Sequence, residues 1–356
     1  MPFIAQLEPD ALLAAFTAEP PAGFEVDRSP QGMPAFVAPF DLLTSADDAL
    51  RRRVAALPLY RHWSALLRWR TRFAGSTVTE YAPLPAGVPP AQLAQGLKDA
   101  FGRDCQLLVV KDIAQDSPLL DAAANAHACA VAAACVAAGF VLLEGQALAF
   151  VPIDFDSIDA YLARLSPGRR KNIRRKLRSR AELDIEAVPT GDARFRDAAT
   201  LAAFHALFDN VYAQSTIHFD RPGAAFFRRL LQDATGGGVV FVYRHRGRMI
   251  GWNLCYAYAG KLVDKYIGFA YPEAREHNLY FVSWMHNLDY ARERGLTHYV
   301  AGWTDPEVKA FLGARFSLTR HAVYARNPLL RALLRRLGGH FESDRRWRAA
   351  TESVDG

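Results

Sequence analysis

Apolar residues along the chain fall into helical spacing in some stretches and strand-like alternation in others, and their order predicts an α/β protein. In the first half, helices are expected over Asp10–Phe16, Ala46–Ala56 and Pro90–Phe101, and strands over Arg72–Tyr81 and in CQLLVVKDI. The charge-free span Ala122–Leu143 is long enough to cross a bilayer, but it is rich in alanine and reads instead as a buried helix running into FVLLEGQALAFVPI, which reads as two strands around a turn. Ile158, Tyr161, Leu162 and Leu165 recur at i, i+3, i+4 and i+7, so an amphipathic helix ends near Leu165. Ser166 and Pro167 then form a cap and first-turn pair opening another helix.

The second half continues with a strand in LDIEAV and helices over Phe195–Ala213 and Gly223–Ala234. Gly236–Gly238 break the chain before VVFVYRHRG, RMIGWNLCYAYAG and KLVDKYIGFAY, and the HRGR and AGK turns between these strands make them an antiparallel meander. A helix over Leu279–Arg294, the strand THYVAGW, a helix opened by Asp305 and Pro306, and the strand SLTRHAVYAR complete the order.

Composition narrows the class. With 356 residues, 51% apolar and 22% charged, the chain has material for a large core and about two domains, which excludes disorder and a single small module. Cys105, Cys129, Cys135 and Cys255 show neither a CxxC pair nor a zinc-like spacing, so no disulfide frame and no metal is signalled, and a reducing cytoplasm is expected. The N-terminus, with Glu8 and Asp10 inside its apolar stretch, does not read as a secretion signal.

Charge is concentrated in one place. Arg169–Arg180 (RRKNIRRKLRSR) holds eight basic and no acidic residues, more than the whole net charge of +6, so the rest of the chain is slightly acidic. Arg169, Arg170, Lys171, Arg174, Arg175 and Lys176 fan out around the seam of Ile173 and Leu177, either as a solvated helix face or as a landing strip for a phosphate-bearing ligand or an anionic surface. The run lacks the interleaved aromatic side chains of a nucleic-acid groove.

The element order, with KYIGFAYPEAREHNLYFVSW and the downstream HYVAGWTDPEVKAFLGARF, resembles the acyl-CoA N-acyltransferase (GNAT) fold. YLARLSPGRRKNIRRKLRSR is similar to the junction segment of that fold's Fem-related, peptidoglycan-biosynthesis-like branch. The resemblance implies a tandem GNAT-like α/β fold, mixed sheets flanked by helices: a degenerate half at 1–150, a basic helical junction at 151–182 and an acyltransferase domain at 183–356. It further implies transfer of an acyl group, acetyl foremost, from acyl-CoA to a small-molecule or cell-envelope amine by direct attack. Two alternatives stand beside it: an aminoacyl-tRNA donor, with the basic run gripping RNA, or a catalytically lapsed fold docking an anionic membrane surface or cell-wall precursor.

Such a fold needs a loop that aims backbone N–H groups at the pyrophosphate of coenzyme A. The matching loop runs from Tyr271 through Arg275, His277, Asn278 and Leu279 to Tyr280, with Asn278 and Tyr280 where the family keeps small residues, and Lys309 is a further phosphate candidate. Asn tolerates left-handed backbone, so Asn278 can make the turn, whereas Tyr280 stands where backbone must come close to phosphate. An alkylammonium, with a pKa of about 10.4, must lose a proton before attack. Asp264, expected on one strand face with Leu262 and Tyr266, is the candidate base, with a surface ion pair as its other reading. The family's tyrosine acid corresponds to Phe311, leaving Tyr266 or Tyr324 as substitutes, each also explicable as a strand aromatic. Trp252, Asn253 and Trp303 are candidates for an acceptor pocket or for plain packing. His205, His218, His277, His286 and His298 are scattered without a ligand spacing.

Overall fold

A computed structural model describes residues 3–41, 48–58, 60, 64–215 and 219–337; Ala46 and Asp47 of an expected helix, and His218, lie outside them. In chain order the first half contains β1 (Phe3–Ile4), α1 (Asp10–Ala18), β2 (Glu25–Arg28), β3 (Pro34–Asp41), α2 (Asp48–Ala55), β4 (Arg68–Ala74), β5 (Leu84–Pro85), α3 (Pro90–Phe101), β6 (Leu107–Ala114), α4 (Ala122–Ala137) and β7 (Val141–Pro152). There follow α5 (Ile158–Ala163), α6 (Pro167–Leu177), β8 (Asp184–Pro189), α7 (Ala198–Gln214), α8 (Ala224–Leu231), β9 (Gly238–His245), β10 (Arg248–Tyr258) and β11 (Lys261–Phe269). Last come α9 (Glu273–Glu276), α10 (Leu279–Glu293), β12 (His298–Gly302), α11 (Pro306–Phe311), β13 (Arg315–Ala325) and α12 (Pro328–Leu337).

The described residues form two compact units that do not follow chain order: those within 3–6, 23–148 and 316–337 make the first, and those within 7–22 and 149–315 the second. In the first, strands run β2-β3-β4-β6-β13-β7, with β4 and β6 parallel. Stacked rings of Phe24, Phe36 and Phe73, 4.8 and 4.9 Å apart, fill its core.

Two expectations fail in this unit. Gly145 is no turn, because β7 runs straight through it; a Cβ there would clash with Thr319 Oγ1 of β13, so the glycine permits close strand approach. The strand expected over Arg72–Tyr81 stops at Ala74, where Gly75 turns the chain at φ +135°, and Ser76 and Thr79 bond each other at 2.8 Å beyond it.

In the second unit the order is β7-β12-β11-β10-β9-β8, β7 contributing its end from Ala149. The expected meander is present as β9, β10 and β11, antiparallel in sequence. One face is covered by α7 and α8, where Phe204, Phe227 and Trp252 pack together. On the opposite face α10 sets His286 and Tyr290 edge-on against Phe241. No helix among the described residues is long and apolar enough to cross a membrane.

Candidate active site

β11 and β12 pair in parallel only from Lys261↔His298 to Val263↔Val300. Beyond that, β11 stays with β10 as far as Phe269↔Gly251, while β12 follows β7 to Gly302↔Ala149. The two strands therefore part, and Asp264 is the first residue of β11 past the fork.

A β-bulge decides which way Asp264 faces. Cys255 pairs with Asp264 and Leu254 with Tyr266, leaving Lys265 as the extra residue. The bulge reverses the simple alternation. Asp264 turns to the α10 side, whereas Tyr266 lies on the α7/α8 side against Phe208, Phe226 and Phe227, so the expectation that the two share a face is corrected. Lys265 instead pairs with buried Glu8 at 3.1 Å.

Around Asp264 the chain assembles a polar cluster. Asn253 Nδ2 donates to its Oδ1 at 2.6 Å, and the Tyr299 hydroxyl donates to its Oδ2 at 2.7 Å. Asn287 Nδ2 reaches Asn253 Oδ1 at 2.7 Å and Tyr299 Oη at 3.2 Å, and the Cys255 thiol donates to Asn253 Oδ1 at 3.3 Å. Burial pushes the Asp264 carboxyl above its ordinary value, against the pull of the Tyr299 and Asn253 hydrogen bonds and the charges of Lys309 and Lys265. Burial, with Asp264 nearby, pushes the Cys255 thiol well up, so it stays protonated and is no nucleophile. Asn287 Oδ1 is buried without a hydrogen-bond partner. Sequence patterning missed Asn287 and Tyr299; the one local signal was an asparagine on the buried side of α10 between Met285 and Leu288.

The loop into α10 is built mostly from inward bonds. The amides of Arg275, His277 and Asn278 donate to the carbonyls of Pro272, Glu273 and Arg275. Asn278 adopts the left-handed conformation, φ 50° and ψ 39°, as the turn requires. Phe281 N–H returns to Asn278 O at 2.9 Å. That leaves the N–H groups of Leu279 and Tyr280 without a partner among the described residues, at the positive end of a 15-residue helix.

Tyr280 lies in the field of both Asp264 and Asp305, and burial followed by these carboxylates pushes its phenol pKa up. Lys176 of α6 sits 3.5 Å above the Phe281 ring, in the same first turn, and burial followed by the Arg175 charge lowers its pKa. Arg275 is exposed, stacks over Tyr271 at 5.0 Å and donates to Gln214.

Other expected site residues are placed elsewhere. Trp252 is fully buried, its Nε1 donating to Phe204 O at 2.9 Å, so it is core and not pocket wall. Lys309 is buried with its ammonium on Ala301 O at 2.6 Å, which turns it from a phosphate ligand into a counter-charge for Asp264. His277 is buried and turned to Glu182 and His245 rather than to the first turn of α10. Trp303 is half-buried in the bend after β12. Tyr324 belongs to the first unit, held among Phe140, Lys98 and Arg331.

The basic run is partly spent on its own fold. Arg169 donates to the carbonyls of Phe311 (3.0 Å) and Ala310 at the end of α11, Arg170 to Ala163 O at 3.3 Å, and Arg174 pairs with Asp159 at 2.7 Å. Lys171 and Arg175 are exposed. In the first unit, a cavity of ≈ 760 Å³ lies between the end of β6 and the start of α4, lined by Gln115, Asp116, Asn125 and Arg320 among others, and it contains none of the expected residues.

Residues 167–310, from α6 into α11, match the family model described as the Acetyltransferase (GNAT) domain. Among solved structures, the chain is similar to L-PGS from Bacillus licheniformis, at 12% identity over 94% of this chain and 98% of that one, TM-score 0.53. It is also similar to FemX, at 12% identity over 90% of this chain and 97% of that one, TM-score 0.51. No curated protein matches. The fold is thus the α/β, GNAT-like one expected from the sequence, with mixed sheets flanked by helices.

Proposed function

We propose that the second unit is an acyltransferase that moves an acyl group from coenzyme A to an amine. The observation that carries this reading is the fork between β11 and β12, which has a half-buried carboxylate at its base and, beside it, helix-start amides without a partner among the described residues. Those amides of Leu279 and Tyr280, with the Lys176 ammonium close by, suit a diphosphate; the exposed Arg275 adds a cation at the rim. Asn278 takes over the conformational work of the glycine that the family has there. The half-buried Tyr280 side chain flanks these amides, so the donor lies alongside its ring.

In the reaction, the amine nitrogen attacks the thioester carbonyl carbon, a C–N bond forms and the C–S bond breaks, releasing the thiolate. Asp264 takes the proton the amine must lose, its raised carboxyl pKa making it a better base than an exposed aspartate. Backbone of β11 beyond Val263, where pairing with β12 ends, supplies donors for the oxyanion. The thiolate leaves unprotonated and takes its proton from solvent, since Phe311 stands where the family's tyrosine acid would be and burial weakens the Tyr280 phenol as an acid. The transfer is direct, since the only thiol in the cluster among the described residues is locked as a hydrogen-bond donor.

The first unit repeats one feature of the second: the parallel pair β4–β6 is joined through α3 as β11–β12 is joined through α10. On this ground we read it as a degenerate copy. The acceptor is an amine of a small molecule or of the cell envelope; the L-PGS and FemX likenesses are grounds for including phospholipid and cell-wall amines in the trial. The test is release of free coenzyme A thiol from acetyl-CoA and longer acyl-CoAs against a panel of such amines. Amine-dependent release that falls in Asp264→Asn through kcat is expected; none with any donor and acceptor contradicts the reading.

A further inference from the structure

Three ligand-type side chains from distant parts of the chain meet behind the loop that opens α10. Glu182 ends the short turn after α6, His245 is the last residue of β9, and His277 precedes Asn278. One ligand atom from each lies within 4.8 Å of the other two. His277 Nδ1 stands 3.2 Å from Glu182 Oε2, and the two imidazole rings are 4.1 Å apart between centroids, inclined at 47°.

These distances have a chemical reading. Bonds of about 2.0–2.1 Å to a tetrahedral ion set neighbouring ligand atoms roughly 3.3 Å apart. The His277–Glu182 separation is already of that size, and small side-chain rotations bring in His245. His277 is fixed from its backbone, since its N–H donates to Glu273 O at 3.0 Å and its C=O accepts from Ser179 Oγ. Its ring is buried, whereas the Glu182 carboxylate is 61% exposed, so the group is open to solvent on one side. Two imidazoles with one carboxylate select a borderline dication such as Zn²⁺ over Mg²⁺ or Ca²⁺, which prefer oxygen ligands.

We infer that Glu182, His245 and His277 form a three-ligand site for a transition-metal dication of the zinc class, with its fourth position open to water. Bound metal ties the turn after α6, the end of β9 and the loop before α10 at one point. The competing account is a plain His277–Glu182 ion pair with a neighbouring ring, which requires no affinity for metal.

The two separate in a calorimetric titration of chelator-stripped full-length protein with zinc chloride, without acyl-CoA, so that the outcome is independent of the acyltransfer reading. One Zn²⁺ per chain is expected, with affinity lowered about tenfold or more by His245→Ala and by Glu182→Gln, and unchanged by His298→Ala, which lies outside the cluster. Glu182→Gln keeps the shape of an exposed side chain, so its effect does not depend on folding. Absence of zinc binding, or wild-type affinity in Glu182→Gln, overturns the site.

Discussion

Asp264 carries the most consequence of any single residue in the second unit. Replacing it with Asn keeps the shape of the cluster and removes the base; kcat/KM for acyl transfer is expected to fall about 10²–10⁴-fold with acyl-CoA affinity little changed. The wild-type enzyme should show an acidic limb whose inflection lies above the ordinary value of 3.8, because burial favours the protonated carboxyl. The same shift acts on stability. Between 3.8 and the raised value the folded chain holds a proton that the unfolded chain has released, so stability falls as pH climbs through that window. Urea unfolding across this range should show the fall in the wild type and not in Asp264→Asn. Asp264 stood out in the sequence as an acid inside a strand pattern, but its partners did not. Tyr299 and Asn287 come from separate elements, and the bulge at Lys265 leaves no mark in the alternation of side chains, so Tyr266 was assigned to the wrong face.

At the level of elements, the basic helix α6 divides into residues that build and residues that stay free. Arg169 caps the carbonyl end of α11, and Arg169→Ala should cost about 1–2 kcal/mol in denaturant unfolding, whereas Arg175→Ala, at an exposed position, should stay within about 0.5 kcal/mol. A solvated face predicts equal, small effects. The turn into α10 gives a second check: Asn278→Ala places a Cβ-bearing residue without a local polar side chain at φ 50° and should destabilise by about 1 kcal/mol, while Asn278→Gly should be neutral or better. Elements defined by local rhythm are legible, α3 near Pro90–Phe101 and the meander in its order. Gly145 was not, since a glycine that admits a neighbouring strand looks in sequence like one that makes a turn.

On the scale of the whole molecule, chain order and compact units diverge. Residues 7–22 fold with the second unit and residues 316–337 with the first, so neither unit is continuous in sequence. Such exchange depends on long-range pairing, β13 with β6 for instance, which hydrophobic periodicity does not encode. The concentration of charge also belongs to this scale. If the donor were an aminoacyl-tRNA, binding would neutralise several phosphates and weaken steeply with salt, whereas a single diphosphate at the start of α10 gives a shallow dependence. The most direct measurement is calorimetric titration of the intact protein with acetyl-CoA, repeated with Arg275→Ala. Saturable one-to-one binding, weakened by about 1–3 kcal/mol in the variant, is the predicted result; the absence of heat with acetyl-CoA and with longer thioesters would contradict the assignment of the fork as an acyl-CoA site.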